Sequence, residues 1–516
     1  MAGTPSEQPI RVGFIGLSAT GWAAHALFPS LRAPSVRNLY SITALCTSSP
    51  TSAAAAAAHY GRLIGSPIKH FHGTDGIKEL AFDPEVDLVV VSVKAPSHRT
   101  PILAAINAGK DVFAEWPIGT SLQQMEEIEQ RAKDKGVTVV VGLQGRQSVA
   151  ITKAKEIIQR KTIGKILSSS LICTVPRELE YWGPTVAASN VYIHEPDTGA
   201  SLLEIMLGHQ LDTFTHLLGD FKSVSVTSAT MYPTATILRS SPDNSPKDDE
   251  APRTLQVSTA DHVAITGMLV SGAIVSIICR GGYAETPGRQ RLVWEIDGEE
   301  GSIRLEGNSP GVVGPLIHRH DPDVYLCGEK VVVEKPMEKI EVDDGAEAEL
   351  ELAAVLRNEV VGWLEYAKEK MGDVERGKGN SGTSRAIVGK GAQYIKMIEC
   401  PKSIASVLQL PVPGGGVANG DDQNRFISYQ ATLPMFNRGG NSIFDFHGHK
   451  QGVTITSWSG YVGGALWDGK TRRQGRTNDS VSSFDAEYRC GGSEPAPTRA
   501  ITVLSAFTVK NPQCSL

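Results

Sequence analysis

The chain has 516 residues, 41% of them hydrophobic and 21% charged, which is typical of a globular protein too long for one compact core. Its formal net charge of −6 argues against sequence-independent binding of nucleic acid, because such binding requires a basic face. The sequence predicts neither a signal peptide nor a membrane span. The seven cysteines lack paired spacing, so we expect reduced thiols and a cytoplasmic location, or a nuclear one for a regulator.

The first 150 residues alternate apolar runs with helical segments. The predicted strands cover residues 11–16, 40–46, 86–93, 111–114 and 137–141. The predicted helices cover residues 21–32, the alanine-rich stretch after Ser49, residues 101–108, and the stretch from Ser121 to Gly136. This alternation predicts an α/β domain with a doubly wound parallel sheet of the Rossmann type, in which a ligand binds at the carboxyl ends of the strands.

A partial dinucleotide fingerprint follows the first strand, in the segment from Gly16 to Trp22. Gly16 permits a tight turn close to a pyrophosphate, and free N–H groups at the start of the next helix attract its charge. Ser18 stands where the fingerprint has its second glycine, which narrows the space for the phosphates. Alone, this pattern also fits an ordinary strand–turn–helix corner. The residues predicted to contact the cofactor here are Gly16, Ser18, Ala19, Thr20, Gly21 and Trp22.

After about residue 150, strand-like runs follow one another with few helices between them. They cover residues 166–174, 224–227, 262–269, 273–278, 291–296 and 302–305. Helices are predicted over residues 202–218 and 346–370, and an exposed loop over residues 242–253. We therefore expect an α+β second domain with a mainly antiparallel, open sheet. The predicted domains are 1–148, 149–405 and a glycine-rich tail of unassigned role, 406–516.

The tail places Asp445, His447 and His449 close together. Such residue types bind metals, but scattered polar residues in a loose loop explain the cluster better. We predict no metal site.

Several short motifs occur in an order that points to one family. They are Gly16 to Trp22, Ala95-Pro-Ser-His98, Ala108-Gly-Lys110, Ala114-Glu-Trp-Pro117 and Gly208-His-Gln-Leu-Asp212. Together they resemble the glucose–fructose oxidoreductase/inositol dehydrogenase (Gfo/Idh/MocA) family of NAD(P)-dependent sugar and polyol dehydrogenases. Leu143-Gln-Gly-Arg146, Ile163-Gly-Lys165, Asp261-His262 and residues 297–301 make the chain similar to the branch of the fungal galactose-regulon repressors. The resemblance covers roughly residues 10 to 400.

The resemblance implies hydride transfer assisted by a lysine of a Glu-Lys-Pro motif and by an Asp/His pair. Trp116 replaces that lysine, and an indole cannot accept a proton. It could stack on a ring or be a core aromatic. His209 matches the family histidine, although a histidine packed against the sheet fits as well. The nearest acid, Glu204, lies five residues earlier and is rotated away from it on an ideal helix.

Lys94, at the end of a predicted strand, is a further candidate. It could reach a phosphate or replace the missing lysine, or it could be a solvated strand-end lysine. The candidate catalytic residues are therefore His209, Glu204 and Lys94.

The second strand ends in Cys46-Thr47-Ser48, without the carboxylate that usually binds the ribose hydroxyls of NAD. This favours NADP over NAD, although no arginine is adjacent to bind its 2′-phosphate. The other predicted cofactor contacts are Thr47, Ser48, Pro96, His98, Glu115, Trp116 and Arg146.

Two functions are consistent with these residues. The first is an NAD(P)-dependent oxidoreductase acting on a hydroxyl or carbonyl of a sugar-like or polyol-like small molecule. The second is a catalytically degenerate, cofactor-binding transcriptional regulator that docks an activator protein, and the tryptophan at position 116 favours it. A pseudoenzyme that binds nothing important is the third and simplest reading. The resemblance also implies a homo-oligomer formed through the sheet of the second domain, and neither main function requires direct contact with nucleic acid or a membrane.

Overall fold

The computed structural model describes residues 8–19, 21–238, 253–307, 315–335, 340–343, 346–347, 353–377, 427–432, 457–462 and 465–470. The chain divides into two compact units, Met1–Leu433 and Pro434–Leu516. In the second unit, the described part is an antiparallel hairpin of two strands, Ser457–Val462 and Ala465–Lys470. The first unit contains the two sheets described below.

The N-terminal sheet has six strands, all parallel, because each is followed by a crossover that returns the chain to the same edge. In chain order they are β1 (Ile10–Ile15), β2 (Tyr40–Thr47), β3 (Lys69–His72), β4 (Leu88–Val91), β5 (Asp111–Glu115) and β6 (Val139–Gly142). Their spatial order is β3-β2-β1-β4-β5-β6, so the winding direction reverses between β1 and β4. Such a switch point is where parallel sheets bind ligands.

Helices cover both faces of this sheet, and local sequence signals set their ends. Ser49 accepts a hydrogen bond from Ser52 N in a capping box, and Ser121 accepts one from Gln124 N. The α-helices are α1 (Phe28–Leu31), α2 (Pro50–Ile64), α3 (Gly73–Phe82), α4 (Arg99–Asn107) and α5 (Leu122–Lys135). Shorter helical segments are a π-helix, Ala23–Leu27, and 3₁₀ turns at Ala95–Ser97 and Gln144–Gln147.

The second sheet has nine strands: β7 (Ile166–Pro176), β9 (Phe221–Ala229), β12 (His262–Leu269), β13 (Ile274–Tyr283), β14 (Leu292–Gly298), β15 (Ser302–Gly307), β16 (Asp323–Leu326), β17 (Glu329–Val331) and β20 (Ile427–Thr432). Their spatial order is β17-β16-β15-β14-β7-β13-β12-β9-β20. All neighbours are antiparallel except β7 and β13.

Helices and short strands complete the second layer. The helices are α6 (Val149–Gln159), a π-helix at Leu202–Leu207 that continues as α7 (Gly208–Leu218), and 3₁₀ segments at Arg177–Leu179 and Ala188–His194. A three-stranded sheet contains β8 (Thr185–Ala187), β10 (Thr234–Leu238) and β11 (Thr254–Gln256), and β18 (Glu341–Asp343) pairs with β19 (Ala346–Glu347). The apolar sides of α7 and the nine-stranded sheet share one core that includes Phe214 and Trp294, whose rings stack.

The last long helix, α8 (Ala353–Gly377), returns to the N-terminal layer. Trp363 is 2% exposed there; its Nε1 donates to Ser30 Oγ at 2.9 Å, and its carbonyl accepts from the Tyr40 hydroxyl at 2.7 Å. The Tyr366 hydroxyl donates to Asp111 Oδ2 at 2.6 Å. A helix more than 200 residues downstream of β6 therefore completes the core of the first sheet.

The predicted fold class, a parallel doubly wound sheet followed by a mainly antiparallel one, is confirmed. Several details differ. β3 was not predicted, because Lys-His-Phe-His has no apolar run, and α3, which follows it, was not predicted either. The helix predicted over residues 346–370 starts at Ala353, since residues 346–347 pair with β18. The helices predicted to start at Gly21 and Leu202 begin as π-helices.

Other sequence predictions fall outside the described residues. They concern Asp445, His447, His449 and nearly all of the loop over residues 242–253. Within the described residues, no group of three or more His, Cys, Asp or Glu side chains is placed to hold a metal. The cysteines described there, Cys46, Cys173, Cys279 and Cys327, are all free. None of the described helices combines the length and apolar character needed to cross a membrane.

Replacing Trp363 tests the contribution of α8. Trp363→Ala should lower the free energy of unfolding by about 3–5 kcal/mol, because it leaves a cavity and deprives Ser30 of a buried partner. Urea unfolding measures the loss. The control Val332→Ala, at a side chain 88% exposed, should change stability by no more than about 0.5 kcal/mol. Equal stability of both variants would show that α8 is not part of this core.

Candidate functional site

A cavity of about 1040 Å³ lies between the carboxyl edge of the six-stranded sheet and the second layer. Its wall brings together eleven of the residues predicted as site residues: Gly16, Ser18, Gly21, Trp22, Thr47, Ser48, Lys94, His98, Glu115, Trp116 and His209. Ala19, Pro96, Arg146 and Glu204 are not on this wall, and Thr20 lies outside the described residues.

The turn after β1 is tight and requires a glycine at position 16. Gly16 has φ +103°, and a Cβ there would lie 2.1 Å from the Ser92 carbonyl oxygen. A Cβ on Gly21 would lie 3.1 Å from Ser18 Oγ. The Tyr60 hydroxyl donates to the Ser18 carbonyl at 2.8 Å, which anchors the turn to α2. This backbone cradle fits the pyrophosphate of a dinucleotide.

Hydroxyl groups line the cavity where β2 ends. Thr47 Oγ1 and Ser52 Oγ are 2.6 Å apart, and Ser48 and Thr74 lie on the same wall. Among the described wall residues, the acidic one is Glu115, at the end of β5 and not of β2. A ribose or its phosphate would therefore meet neutral donors at this end.

Trp116 is packed and hydrogen-bonded, not free in the cavity. It is 8% exposed, and its Nε1 donates to the Glu204 carbonyl oxygen at 2.6 Å. A Cβ on Gly208 would lie 2.6 Å from the same Nε1, so a glycine is required beside the indole. The indole thus links β5 of the first layer to the π-helix of the second.

The Glu204 side chain helps to cap the N-terminal end of that π-helix. It accepts hydrogen bonds from Ser201 N and Oγ, which forms a capping box. Its carboxylate is thereby directed at Ser201, away from a role beside His209.

His209 stacks on His318, with ring centroids 4.2 Å apart and planes 30° apart. Burial lowers the pKa of His209 to about 3, and burial followed by the neighbouring His209 lowers that of His318 well below its usual value. Both imidazoles are neutral near pH 7. In that state each can donate one hydrogen bond and accept another.

Lys94 follows β4 and reaches across to the second layer. Its Nζ donates to the Ser189 carbonyl at 3.0 Å and lies 4.7 Å from the centroid of the Tyr192 ring. It lines the same cavity as His209. A positive charge is therefore held at the boundary of the two layers.

Two other predicted cofactor contacts have protein partners. Arg146 forms a buried ion pair with Asp212, with Nη2 and Oδ1 2.9 Å apart. Burial raises the pKa of Asp212 to about 7, and Arg146 opposes that rise. His98 has Nδ1 2.7 Å from the Pro117 carbonyl and Nε2 2.8 Å from the Val93 carbonyl, and burial lowers its pKa.

Several wall residues were not singled out from the sequence. Arg319 lies 5.3 Å over the Trp22 ring, and Gln144 follows β6. Tyr181 and Trp182 come from an irregular segment after β7, where no periodicity marks them. Gln144 lies within the motif Leu143-Gln-Gly-Arg146, which resembles the family and could have indicated a position on the wall.

Comparison with known proteins places the chain in a family. The NAD-binding Rossmann-fold model of the oxidoreductase family GFO_IDH_MocA matches residues 10–143, and the model of the Gal80p C-terminal domain matches residues 150–307. The chain is 33% identical over 327 residues to dehydrogenase aclE of Aspergillus oryzae, covering 62% of this chain and 81% of the relative. It is 28% identical over 318 residues to the GAL80 regulatory protein of Kluyveromyces lactis, covering 59% and 65%.

Solved structures share the fold. A super-repressor mutant of Gal80p from Saccharomyces cerevisiae matches with a TM-score of 0.61 at 22% identity, over 77% of this chain and 96% of that one. Levoglucosan dehydrogenase in complex with NADH and levoglucosan matches with a TM-score of 0.53 at 19% identity, over 77% and 98%. The chain belongs to the Gfo/Idh/MocA family of NAD-binding oxidoreductases. Within that family it falls in the Gal80-like branch, so the resemblance inferred from the sequence is confirmed.

The neutral state of His209 predicts acid sensitivity. Because its pKa is lower in the folded than in the unfolded chain, the unfolded state binds more protons between about pH 6.5 and pH 3. Stability should therefore be full above pH 6.5 and fall as the pH drops below it, by about 2 kcal/mol between pH 7.5 and 5. Urea unfolding at the two pH values measures this loss.

His209→Phe keeps a ring against His318 and should show a smaller loss. His25→Asn, at an exposed position, should behave as the wild type does. Identical losses in the wild type and His209→Phe would contradict the burial of a neutral His209.

Proposed function

We propose that this protein is a nicotinamide-dependent oxidoreductase that acts on a hydroxyl or carbonyl carbon of a sugar-like or polyol-like small molecule. One observation carries the proposal: a single cavity joins the glycine turn after β1 to a chamber containing Lys94, His209 and aromatic rings. Its volume of about 1040 Å³ is at the upper end of typical ligand pockets, which reach about 1,000 Å³. The dehydrogenase relatives support a cofactor and a small polar substrate together.

The residues of the chamber suit hydrogen bonding to an oxygen atom. A bound nicotinamide supplies the hydride donor or acceptor. The ammonium of Lys94 stabilises negative charge on the substrate oxygen, and the neutral imidazole of His209 exchanges a hydrogen bond with it. Trp116 donates its single N–H to Glu204, so it transfers no proton. Glu204 itself is engaged by Ser201 and takes no part.

A weakly basic His209 favours one direction of reaction. An imidazole with a pKa of about 3 removes a hydroxyl proton poorly, whereas Lys94 can give a proton to an oxygen that becomes negative. We therefore expect carbonyl reduction to be the faster direction.

The regulator is the second candidate, and the packed indole of Trp116 favours it. The place of the family lysine is taken by a side chain that is 8% exposed and hydrogen-bonded. Such a protein would bind the cofactor and dock an activator protein, in keeping with its GAL80 relatives. In either role, the exposed apolar side chains Met268, Ile274 and Ile278 on the open sheet are where a homo-oligomer would form.

A turnover assay separates the two candidates. Purified protein is mixed with NAD(P)H and carbonyl compounds, or with NAD(P)⁺ and sugars and polyols, and nicotinamide absorbance is followed. The oxidoreductase predicts turnover that falls by roughly 10²–10⁴ in Lys94→Met, with cofactor affinity little changed. The control is Lys222→Met, an exposed site on β9. Cofactor binding without turnover on any compound, with capture of a purified activator protein, would instead support the regulator.

We also propose a preference for NADP over NAD, because the described residues of the wall at the end of β2 offer hydroxyl groups and no carboxylate. Ser48 is exposed there, so a substitution should not disturb the fold. Ser48→Asp should weaken NADP⁺ binding by a factor of about ten or more through repulsion of the 2′-phosphate, and should spare NAD⁺.

Asparagine has the same shape as aspartate but no charge, so Ser48→Asn is the matched control. Calorimetric dissociation constants for both cofactors measure the effect. Equal weakening in the two variants would place the 2′-phosphate elsewhere.

A further inference from the structure

The part of the cavity wall that the second layer supplies is mainly aromatic and aliphatic. The segment after β7 contributes three rings, those of Tyr181, Trp182 and Tyr192. Aliphatic side chains of the same segment and of the π-helix continue this surface: Leu179, Ile205 and Met206. Such a surface gains free energy when it covers the apolar face of a ligand.

Polar groups are few on the same part of the wall. Its described residues include His209, His318, Arg319 and two tyrosine hydroxyls, but neither a carboxylate nor a carboxamide. The acidic side chains of the π-helix and of α7, Glu204 and Asp212, are not on the wall and have protein partners.

This lining fits poorly around a molecule with a hydroxyl on every ring carbon. Each hydroxyl group donates one hydrogen bond and accepts others, and a buried hydroxyl without a partner weakens binding. The ammonium of Lys94 and the imidazole of His209 can serve one or two oxygen atoms. The remaining hydroxyls of a sugar would face rings and aliphatic side chains.

The rings are held in place before any ligand binds. A Cβ on Gly281 of β13 would lie 2.2 Å from the Trp182 carbonyl oxygen, so the segment lies directly on the sheet. His194 Nε2 donates to the Tyr181 carbonyl at 2.8 Å. The ring centroids of Tyr181 and Trp182 are 5.5 Å apart, with planes 36° apart. A fixed aromatic surface binds a flat ligand with little loss of side-chain freedom.

One cation lies next to these neutral rings. Lys94 Nζ is 4.7 Å from the centroid of the Tyr192 ring. Burial, followed by the neighbouring Tyr181, raises the pKa of Tyr192, which is therefore uncharged near pH 7. A ligand whose oxygen atom contacts Lys94 consequently has its adjoining part beside aromatic rings.

We propose that the substrate of this site is a cyclic molecule with one or two oxygen groups on one side and a flat, apolar ring on the other. A vicinal diol or a hydroxyketone fused to an aromatic ring has this form. Its oxygen atoms contact Lys94 and His209, and its flat ring packs against Tyr181, Trp182 and Tyr192. The inference rests on the proposed function and narrows its polyol-like substrates to those with few hydroxyl groups.

The test compares three substrates that share a six-membered ring with neighbouring hydroxyl groups. They are trans-tetralin-2,3-diol, which has a fused benzene ring, trans-cyclohexane-1,2-diol, and myo-inositol, which has a hydroxyl on every carbon. Oxidation of each breaks one C–H and one O–H bond; the hydride reduces the nicotinamide and the proton passes to solvent. The absorbance of the reduced nicotinamide gives kcat/KM, with whichever of NAD⁺ and NADP⁺ binds more tightly.

The wild type should show a kcat/KM about tenfold or more higher for the tetralin diol than for the cyclohexane diol, because the fused ring buries apolar area. Myo-inositol should be about tenfold or more poorer than the cyclohexane diol, because its extra hydroxyls find no partners.

Tyr181 provides the matched variants. Tyr181→Leu should reduce the tetralin-to-cyclohexane ratio to roughly threefold or less, since it removes one flat ring. Tyr181→Phe, which keeps the ring and loses the hydroxyl, should preserve the ratio. Calorimetric affinity for the cofactor, equal within about twofold in all three proteins, shows that the variants are folded.

The outcomes distinguish this inference from the proposed function. A kcat/KM for myo-inositol equal to or above that for the tetralin diol would overturn the inference and leave the proposed function standing. An unchanged ratio in a folded Tyr181→Leu would also overturn it. Cofactor binding without turnover of these or any other sugars and polyols, in either direction, would overturn the proposed function and this inference together.

Discussion

The hydrogen bond from Trp116 to the Glu204 carbonyl is the contact on which the site depends. It joins the end of β5 to the π-helix Leu202–Leu207, and so it sets the distance between the two walls of the cavity. The bond requires a glycine at position 208, because any side chain there would displace the indole. Trp116 also stands in the place of the family lysine, so the proposed enzyme relies on Lys94 as the proton donor and on His209 as a hydrogen-bond partner of the substrate oxygen.

Both candidate functions are compatible with that substitution, although it favours the regulator. An indole that is packed and hydrogen-bonded keeps the cleft shaped for a dinucleotide while contributing nothing to acid–base chemistry. The enzyme and the regulator therefore share one cofactor site and differ in what the adjoining chamber does. The stacked, neutral His209 and His318 are part of the wall of that chamber.

The fold was largely predictable, because buried strands have apolar runs that are visible in one sequence. The strand over residues 262–269 was predicted with the bounds that the structure shows, and the capping serine at position 121 was found from its spacing. β3 was missed since its buried contacts are few and its residues polar. The π-helices were missed since a shifted hydrogen-bond register leaves no periodic signal.

The site was predictable where parallel strands end, and less so elsewhere. Gly16, Thr47 and Glu115 lie on the cavity wall because each follows or ends a strand of the same sheet. Arg146 was expected to contact the cofactor but pairs with Asp212, a partner 66 residues away. The hydrogen bond from Gln144 Nε2 to Glu359 could not be predicted from the sequence, since only the path of α8 brings the two residues together.

The return of α8 has a consequence for how the protein is made on the ribosome. Residues up to Gly142 form all six strands of the first sheet, but the pocket around Tyr40 and Phe113 stays uncovered until Trp363 has been synthesised. During that interval the second layer has time to form, while the first layer exposes a hydrophobic groove to water and to chaperones. The core of the N-terminal layer is therefore complete only after the second layer and α8, which follow it in the sequence, have been synthesised.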